Sequence, residues 1–139
     1  MSGKVFVDTN ILIYAHNLDA GLKQQKAAQR LSILWQTKLG RLSTQILQEF
    51  FVTITSKIPK PLPRAAAREI IRSYAQWVES LISPSTILRA TEIADSSILS
   101  FWDSMVIAAA EQDGAEEVLS EDLNHGQMIA GVRVVNPFL

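Results

Sequence analysis

Apolar residues along this chain follow two rhythms, short unbroken runs and stripes at helical spacing. Val5-Phe6-Val7 is an apolar run of β-formers that stops at Asp8-Thr9-Asn10, which predicts a buried strand followed by a turn. Asn10 or Thr9 can then cap a helix through Ile11 to His16. Between Leu22 and Leu39 the residues Ala27, Leu31, Leu34 and Trp35 recur at helical spacing, and Gly40 is the predicted stop. Arg41-Leu42-Ser43 is a short strand candidate. Ile46, Leu47, Phe50, Phe51 and Ile54 next mark an amphipathic helix, which Ile58-Pro59-Lys60-Pro61-Leu62-Pro63 must break.

Past the prolines the pattern predicts a helix from Arg64 to Val78, a short strand over Ser80 to Ser83, a helix opened by Pro84 and reaching Ala94, and another beginning near Ser100. Val118-Leu119 predicts a buried strand ending in Ser120-Glu121-Asp122, and Val132-Arg133-Val134-Val135 the final one. Short apolar strands alternating with helices predict right-handed βαβ units, hence an α/β fold with a parallel sheet covered on both faces. With 139 residues, 47% of them hydrophobic, and no low-complexity run, the chain fits one domain over residues 1–139.

Composition narrows the chemistry. The absence of cysteine excludes disulfides, thiolate metal sites and thiol nucleophiles, so a metal must be held by oxygen or histidine. The N-terminal apolar stretch is too short for a signal peptide and no run approaches membrane-spanning length, which predicts a soluble cytoplasmic protein with no membrane partner. The net charge of -1 conceals an asymmetry: ten Lys or Arg oppose two acids from Ala20 to Val78, whereas two Arg oppose ten acids from Glu79 to Leu139. Such a division suits a polyanionic partner, and solvated helix faces can also produce it.

Asp8 directly follows the first strand and Asp122 closely follows the strand at Val118-Leu119, so both stand at carboxyl ends of strands, the edge where open parallel sheets bind ligands. Either can equally be a turn former. Glu49 interrupts the apolar helix Ile46 to Ile54 at the edge of its buried face, an unusual place for an unpaired charge. Asp103 lies in the first turn of the apolar helix Phe101 to Ala110, where Ser100-Phe101-Trp102-Asp103 can also be a capping box that stabilises the helix start. Four converging carboxylates would repel one another, and a hard cation removes that repulsion. Mg²⁺, for which Mn²⁺ can substitute, takes oxygen ligands and uses few carboxylates beside water and phosphate.

Four segments together, Val5-Phe6-Val7-Asp8-Thr9-Asn10, Gln48-Glu49-Phe50, Phe101-Trp102-Asp103-Ser104-Met105-Val106-Ile107-Ala108-Ala109-Ala110 and Leu119-Ser120-Glu121-Asp122, resemble the PIN-domain nucleases, particularly toxins of the VapC type. The resemblance implies a PIN-like three-layer α/β/α fold with a five-stranded parallel sheet. It places the family's acidic quartet on Asp8, Glu49, Asp103 and Asp122, with Thr9, Asn10 and Ser120 in supporting positions. It implies metal-assisted hydrolysis of RNA phosphodiester bonds, with Asp8, Asp103 and Asp122 as direct or water-mediated ligands. Glu49 would ligate a second ion, hold a water or assist proton transfer. A homodimer inhibited by a cognate antitoxin protein is implied as well. Where many members carry a spaced aromatic after the last acid, this chain has Leu123-Asn124-His125-Gly126.

Arg64, Arg68 and Arg72 recur at helical spacing and form one basic face, a candidate guide for RNA phosphates, which Lys57 and Lys60 can extend. His125 either reaches the scissile phosphate or ties down a turn, and His16 suits a helix C-terminus. The stripes holding Leu31, Leu34 and Trp35 and holding Phe51 and Ile54 suit core or a protein interface better than a base platform. Two rivals remain: a catalytically silent nucleic-acid or protein-binding module on the same fold, and a phosphoacceptor signalling domain. The latter lacks an aspartate on the Ser80 to Ser83 strand and a lysine after the last one.

Overall fold

The computed structural model describes residues 2–139. Strand β1 (Val5–Val7) is buried at every position, as expected of a strand covered on both faces. It pairs in parallel with β2 (Gly40–Arg41) on one side and β3 (Glu117–Leu119) on the other. β3 pairs in parallel with β5 (Val132–Val135), and β4 (Met128–Ile129) lies antiparallel beyond β5. The resulting order, β2-β1-β3-β5-β4, means that the chain leaves β1 towards one edge of the sheet and later returns on the other side. The crevice between the carboxyl ends of β1 and β3 is therefore the topological switch point.

Among the described residues six α-helices pack around this sheet: α1 (Thr9–His16), α2 (Leu22–Thr37), α3 (Thr44–Ser56), α4 (Arg64–Tyr74), α5 (Pro84–Ser97) and α6 (Phe101–Gln112). α1 packs on α2 and α3, and α3 on α4; α5 packs on α6, which lies against β3 and β5. Seven consecutive α6 residues, Ser104 to Ala110, are buried, which makes it a core helix closed in all round. Among the described residues no single helix is long and apolar enough to cross a membrane.

Several local expectations give way to tertiary geometry. Gly40 does not stop α2: the helix ends at Thr37, with Lys38 in the left-handed region at φ 61. Gly40 serves close packing instead, because a β-carbon there would stand 2.8 Å from three carbons of the Trp77 indole. The helix expected over Arg64 to Val78 ends at Tyr74, and Ala75–Trp77 tightens into a 3-10 turn. Ser80 to Ser83 is not a strand. Only Val78 makes an isolated parallel bridge, to Leu42, after which Leu81 is exposed and Ser83 takes extended dihedrals as the N-cap of α5.

The fifth strand is instead β4, and it departs from the all-parallel sheet that the resemblance implied. Ala130 and Gly131, at φ 50 and 80, form a two-residue turn between Ile129 and Val132. Positive φ at both turn residues is the geometry that matches the twist of a tight hairpin. The apolar stripes read as core or interface go mostly to the core. Leu31, Leu34 and Ile54 are buried, while Trp35 and Phe51 pack against them half-buried. Trp35, Tyr74 and Trp77 form one aromatic cluster, with centroids 4.6 to 5.2 Å apart.

Because the Trp77 ring rests on the backbone of β2, Gly40→Ala is expected to destabilise the fold by about 1–3 kcal/mol through overpacking. Denaturant melts would read this as a lower midpoint at unchanged slope. Combining Gly40→Ala with Trp77→Leu should cost less than the sum of the single changes; strict additivity would show that the ring is not the obstacle.

Candidate active site

Asp8 ends β1 at the switch point and caps α1, replacing Thr9 or Asn10 in that role. One carboxylate oxygen accepts the Thr9 backbone N–H at 2.7 Å; the other accepts the Ser120 hydroxyl at 2.8 Å and the Asn10 amide at 3.3 Å. The side chain is almost wholly removed from water, and burial pushes its pKa up to about 6. Hydrogen bonds from Ser120 and Thr9 oppose the rise, while the nearby charges of Asp122 and Asp103 add to it.

Asp122 is tied to Asp8 through two shared partners. The Asn10 amide donates to Asp122 Oδ2 at 3.1 Å, and the Asp122 N–H donates to Ser120 Oγ at 3.1 Å. Asn10 also accepts the Glu121 N–H through its side-chain oxygen at 3.1 Å. Glu121 faces away from the acids and accepts the Tyr14 hydroxyl at 2.7 Å and the Lys23 ammonium. These contacts hold its carboxyl below the usual range and fasten the loop bearing Asp122 to α1 and α2. Neither Tyr14 nor Lys23 carried a signal in the sequence, since Lys23 meets an acid 98 positions away.

Asp103 stands at the third position of α6, where its N–H donates to the hydroxyl of the N-cap Ser100 at 3.1 Å. Only that half of the expected capping box forms; the reciprocal box is found at Ser83 and Thr86 of α5. Among the described residues the Asp103 carboxylate takes no hydrogen bond, and its charge reaches both Asp8 and Glu49. Glu49 is exposed as a residue. Its carboxyl is nevertheless pushed up, first by local desolvation and then by Asp103 and Asp122, while Gln45 and the Thr9 hydroxyl favour its ionised form. Thr9 Oγ1 and Gln45 Oε1 are buried and have no partner at hydrogen-bond distance. Gln45, one turn before Glu49, donates to the Trp102 carbonyl at 3.4 Å and so joins α3 to α6.

The donor set is therefore all oxygen: four carboxylates, of which Asp8 and Glu49 hold their protons more tightly in part because of the charges of Asp103 and Asp122, beside two buried side-chain oxygens without a hydrogen-bond partner. This chemistry fits a hard divalent cation rather than a soft metal. Among the described residues no three acids or histidines are grouped closely enough to enclose an ion by themselves. An ion of the Mg²⁺ type keeps several waters and uses few carboxylates beside substrate phosphate, so it does not require the acids to enclose it.

The remaining candidates lie outside this cluster. Arg64, Arg68 and Arg72 are exposed on α4; the Arg64 guanidinium lies 5.0 Å from the Phe51 ring centroid, and Arg72 pairs with Glu69 at 3.4 Å. Lys60 reaches Asp19 at 3.7 Å. His125 Nδ1 accepts the Asn136 N–H at 3.0 Å, tying the loop after Asp122 to the C-terminal segment. His16 is packed between Phe50 and Tyr74, and burial lowers its pKa.

No curated protein matches this chain. Its fold is shared with a chain of a toxin-antitoxin complex from Klebsiella pneumoniae, at a TM-score of 0.69 and 20% identity over 96% of this chain and 98% of that one. It is shared also with VapC20, a sarcin-ricin loop cleaving toxin of Mycobacterium tuberculosis, at a TM-score of 0.65 and 17% identity over 86% and 90% of the two chains. The PIN domain family matches residues 5–128, a span that includes β1 and all four acids, and the chain belongs to that family.

Proposed function

We propose that residues 1–139 form a single PIN nuclease domain, a divalent-metal-dependent endoribonuclease that hydrolyses RNA phosphodiester bonds as the toxin of a toxin-antitoxin pair. The observation that carries this reading is Asp8, a carboxylate buried at the switch point although its ionised form is disfavoured there. Structural turns do not require a buried acid beside two further acids, whereas a cation site does. A binder of polyanions would gain nothing from four converging negative charges.

In this reading Asp8, Asp122 and Asp103 hold Mg²⁺ or Mn²⁺ directly or through water, and Glu49 orients water at the open side. When bound, the cation polarises a phosphate oxygen and lowers the pKa of a water molecule. Ser120 and Asn10 keep Asp8 and Asp122 at fixed spacing through the bonds described above, and Gln45 holds α3 against the start of α6. With RNA as its substrate, the protein would act in the cytoplasm.

An antitoxin segment fits the apolar cleft between α3 and α4, lined by Leu47, Gln48, Phe51, Val52 and Ile71, on the helix that carries Glu49. An arginine from such a segment would pair with the carboxylates and compete with the cation. With Leu31, Leu34 and Ile54 buried in the core, a homodimer finds exposed apolar surface at Leu81, Ile87 and Leu88.

Asp8→Asn, Asp103→Asn and Asp122→Asn are each expected to lower Mg²⁺-dependent RNA cleavage by roughly 100-fold or more, because outer-shell changes alone cost about 10–100-fold. Chelator should abolish cleavage by the parent. Full cleavage by a folded variant would remove that acid from the site, and a less stable but equally active Asp103→Asn would leave Asp103 a helix-start role.

The raised pKa of Asp8 also fixes a pH dependence. The folded state binds this proton more tightly than the unfolded chain, so the contribution of Asp8 is most favourable below pH 3.8 and turns against folding as pH climbs to about 6. Without metal, Asp8→Asn should thus be more stable than the parent at pH 8 by roughly 3 kcal/mol, with the gap closing by pH 4. Metal affinity should fall as pH drops through about 6, since proton and cation compete for one carboxylate. Equal melting curves for parent and variant at both pH values would contradict the assignment.

For the basic face, changing Arg64, Arg68 and Arg72 together to Gln should weaken RNA binding and reduce the slope of log affinity against log salt by about 0.7 for each phosphate no longer neutralised. An unchanged slope would make the face a solvated one.

A further inference from the structure

Ten aromatic side chains occur in the chain, and eight of them are spent on packing. Phe6, Phe50, Tyr74 and Trp77 are buried, and Tyr14, Trp35, Phe51 and Phe138 pack half-buried against the core. The two exposed ones are neighbours, Phe101 at 37% and Trp102 at 64%, and they immediately precede Asp103 in the first turn of α6. Their rings meet edge to face, with centroids 5.1 Å apart at 74°, so Phe101 props the indole from one side. The backbone beneath is held as well: Ser100 caps the helix, and the Trp102 carbonyl accepts the Gln45 amide from the helix that bears Glu49.

Resting on the nuclease reading above, we propose that Trp102, propped by Phe101, is a positioning residue on which an unpaired base next to the scissile phosphate stacks. The electrostatics of the site create the need for such a contact. Four carboxylates offer the phosphate backbone nothing beyond what a bound cation would supply, and Arg64, Arg68 and Arg72 lie outside their cluster, so an uncharged contact beside the cut would add affinity that the acids do not. Stacking on an aromatic face provides it, and tolerates any base because every base has a π-face. Bases inside an A-form duplex are already stacked and out of reach, so the platform selects single-stranded or looped RNA.

A second protein copy is the less suitable occupant. Aromatic side chains offer roughly 150–250 Å² each when fully covered, so these two partly exposed rings fall well short of the about 800 Å² per partner of a stable interface. A two-fold contact centred here would also set acid cluster against acid cluster, because symmetric interfaces juxtapose the same patch.

The test uses the full chain and a single-stranded oligoribonucleotide that it cleaves, together with the same oligonucleotide made abasic next to the cut. Trp102→Ala should raise KM roughly tenfold while changing kcat much less, as expected for loss of one stacked base. Trp102→Phe should keep most of the affinity. The abasic substrate should cost the parent the same factor and cost Trp102→Ala nothing further, which a merely structural role for Trp102 would not produce. The abasic arm and Trp102→Phe carry the test if Trp102→Ala fails to fold. A KM within twofold of the parent for Trp102→Ala, or a parent indifferent to the abasic site, would overturn the platform and leave the nuclease standing. Unchanged KM with loss of self-association on sedimentation would reassign the rings to a protein interface. A parent that cuts no RNA would sink the nuclease reading and the platform with it.

Discussion

A carboxylate removed from water at the end of a buried strand is the constraint around which this fold is arranged. Asp8 accepts three hydrogen bonds, from Thr9, Asn10 and Ser120, and their combined pull still does not restore an ordinary pKa. Burial and two neighbouring acids outweigh them. The sheet order makes this possible, since only at the switch point do β1 and β3 release their carboxyl ends side by side with no helix crossing between them. Ser120 is wholly buried one residue past β3, so pairing of β1 with β3 brings its hydroxyl to Asp8 without further adjustment.

An ionised Asp8 works against folding at this point, and the surroundings show how the strain is contained. The Asp122 loop is fastened from its outer side, where Glu121 takes the Tyr14 hydroxyl and the Lys23 ammonium while that ammonium also stacks over the Tyr14 and Phe138 rings. The loop bearing Asp122 is thus held on this side by contacts that leave the oxygens of Asp8 and Asp122 uninvolved. Proteins commonly retain such locally unfavourable groups where chemistry needs them and compensate through rigid neighbours.

The sequence carried those features that depend on residues near one another in the chain. Periodicity located α2, α3 and α6, and the position of Asp8 and Asp122 just past apolar runs put both at strand ends. Features set by distant partners were not legible. Gly40 reads as a helix stop because glycine usually is one, yet its reason here is an indole 37 positions later, which no local pattern contains. Met128–Ile129 is too short to alternate, and its turn uses Ala130 where an asparagine or glycine would have been the signal. Ser80 to Ser83 looked like a strand because extended dihedrals also serve an N-cap. The amphipathic stripes of α2 and α3 suit core and interface alike, because the aromatic cluster that covers part of them is assembled from α2, α4 and the turn after α4.

The charge asymmetry between the two halves of the chain has a similar resolution. Part of it is spent internally, because basic residues of the first half pair with acids of the second: Arg41 with Glu79, and Lys23 with Glu121. Those pairs join β2 and α2 to the acidic half of the chain. Of the cations that remain exposed, Arg64, Arg68 and Arg72 lie on α4, Lys57 and Lys60 just before it, and Lys38 and Arg133 elsewhere; Arg64 and Arg68 are outside any ion pair among the described residues, and Arg72 is shared with Glu69. A polyanion would therefore meet separate zones, an acidic cleft that accepts phosphate only with a cation and a basic helix that needs none. Long-range attraction would draw the partner in along α4, while the cleft would decide where along its length the chemistry occurs.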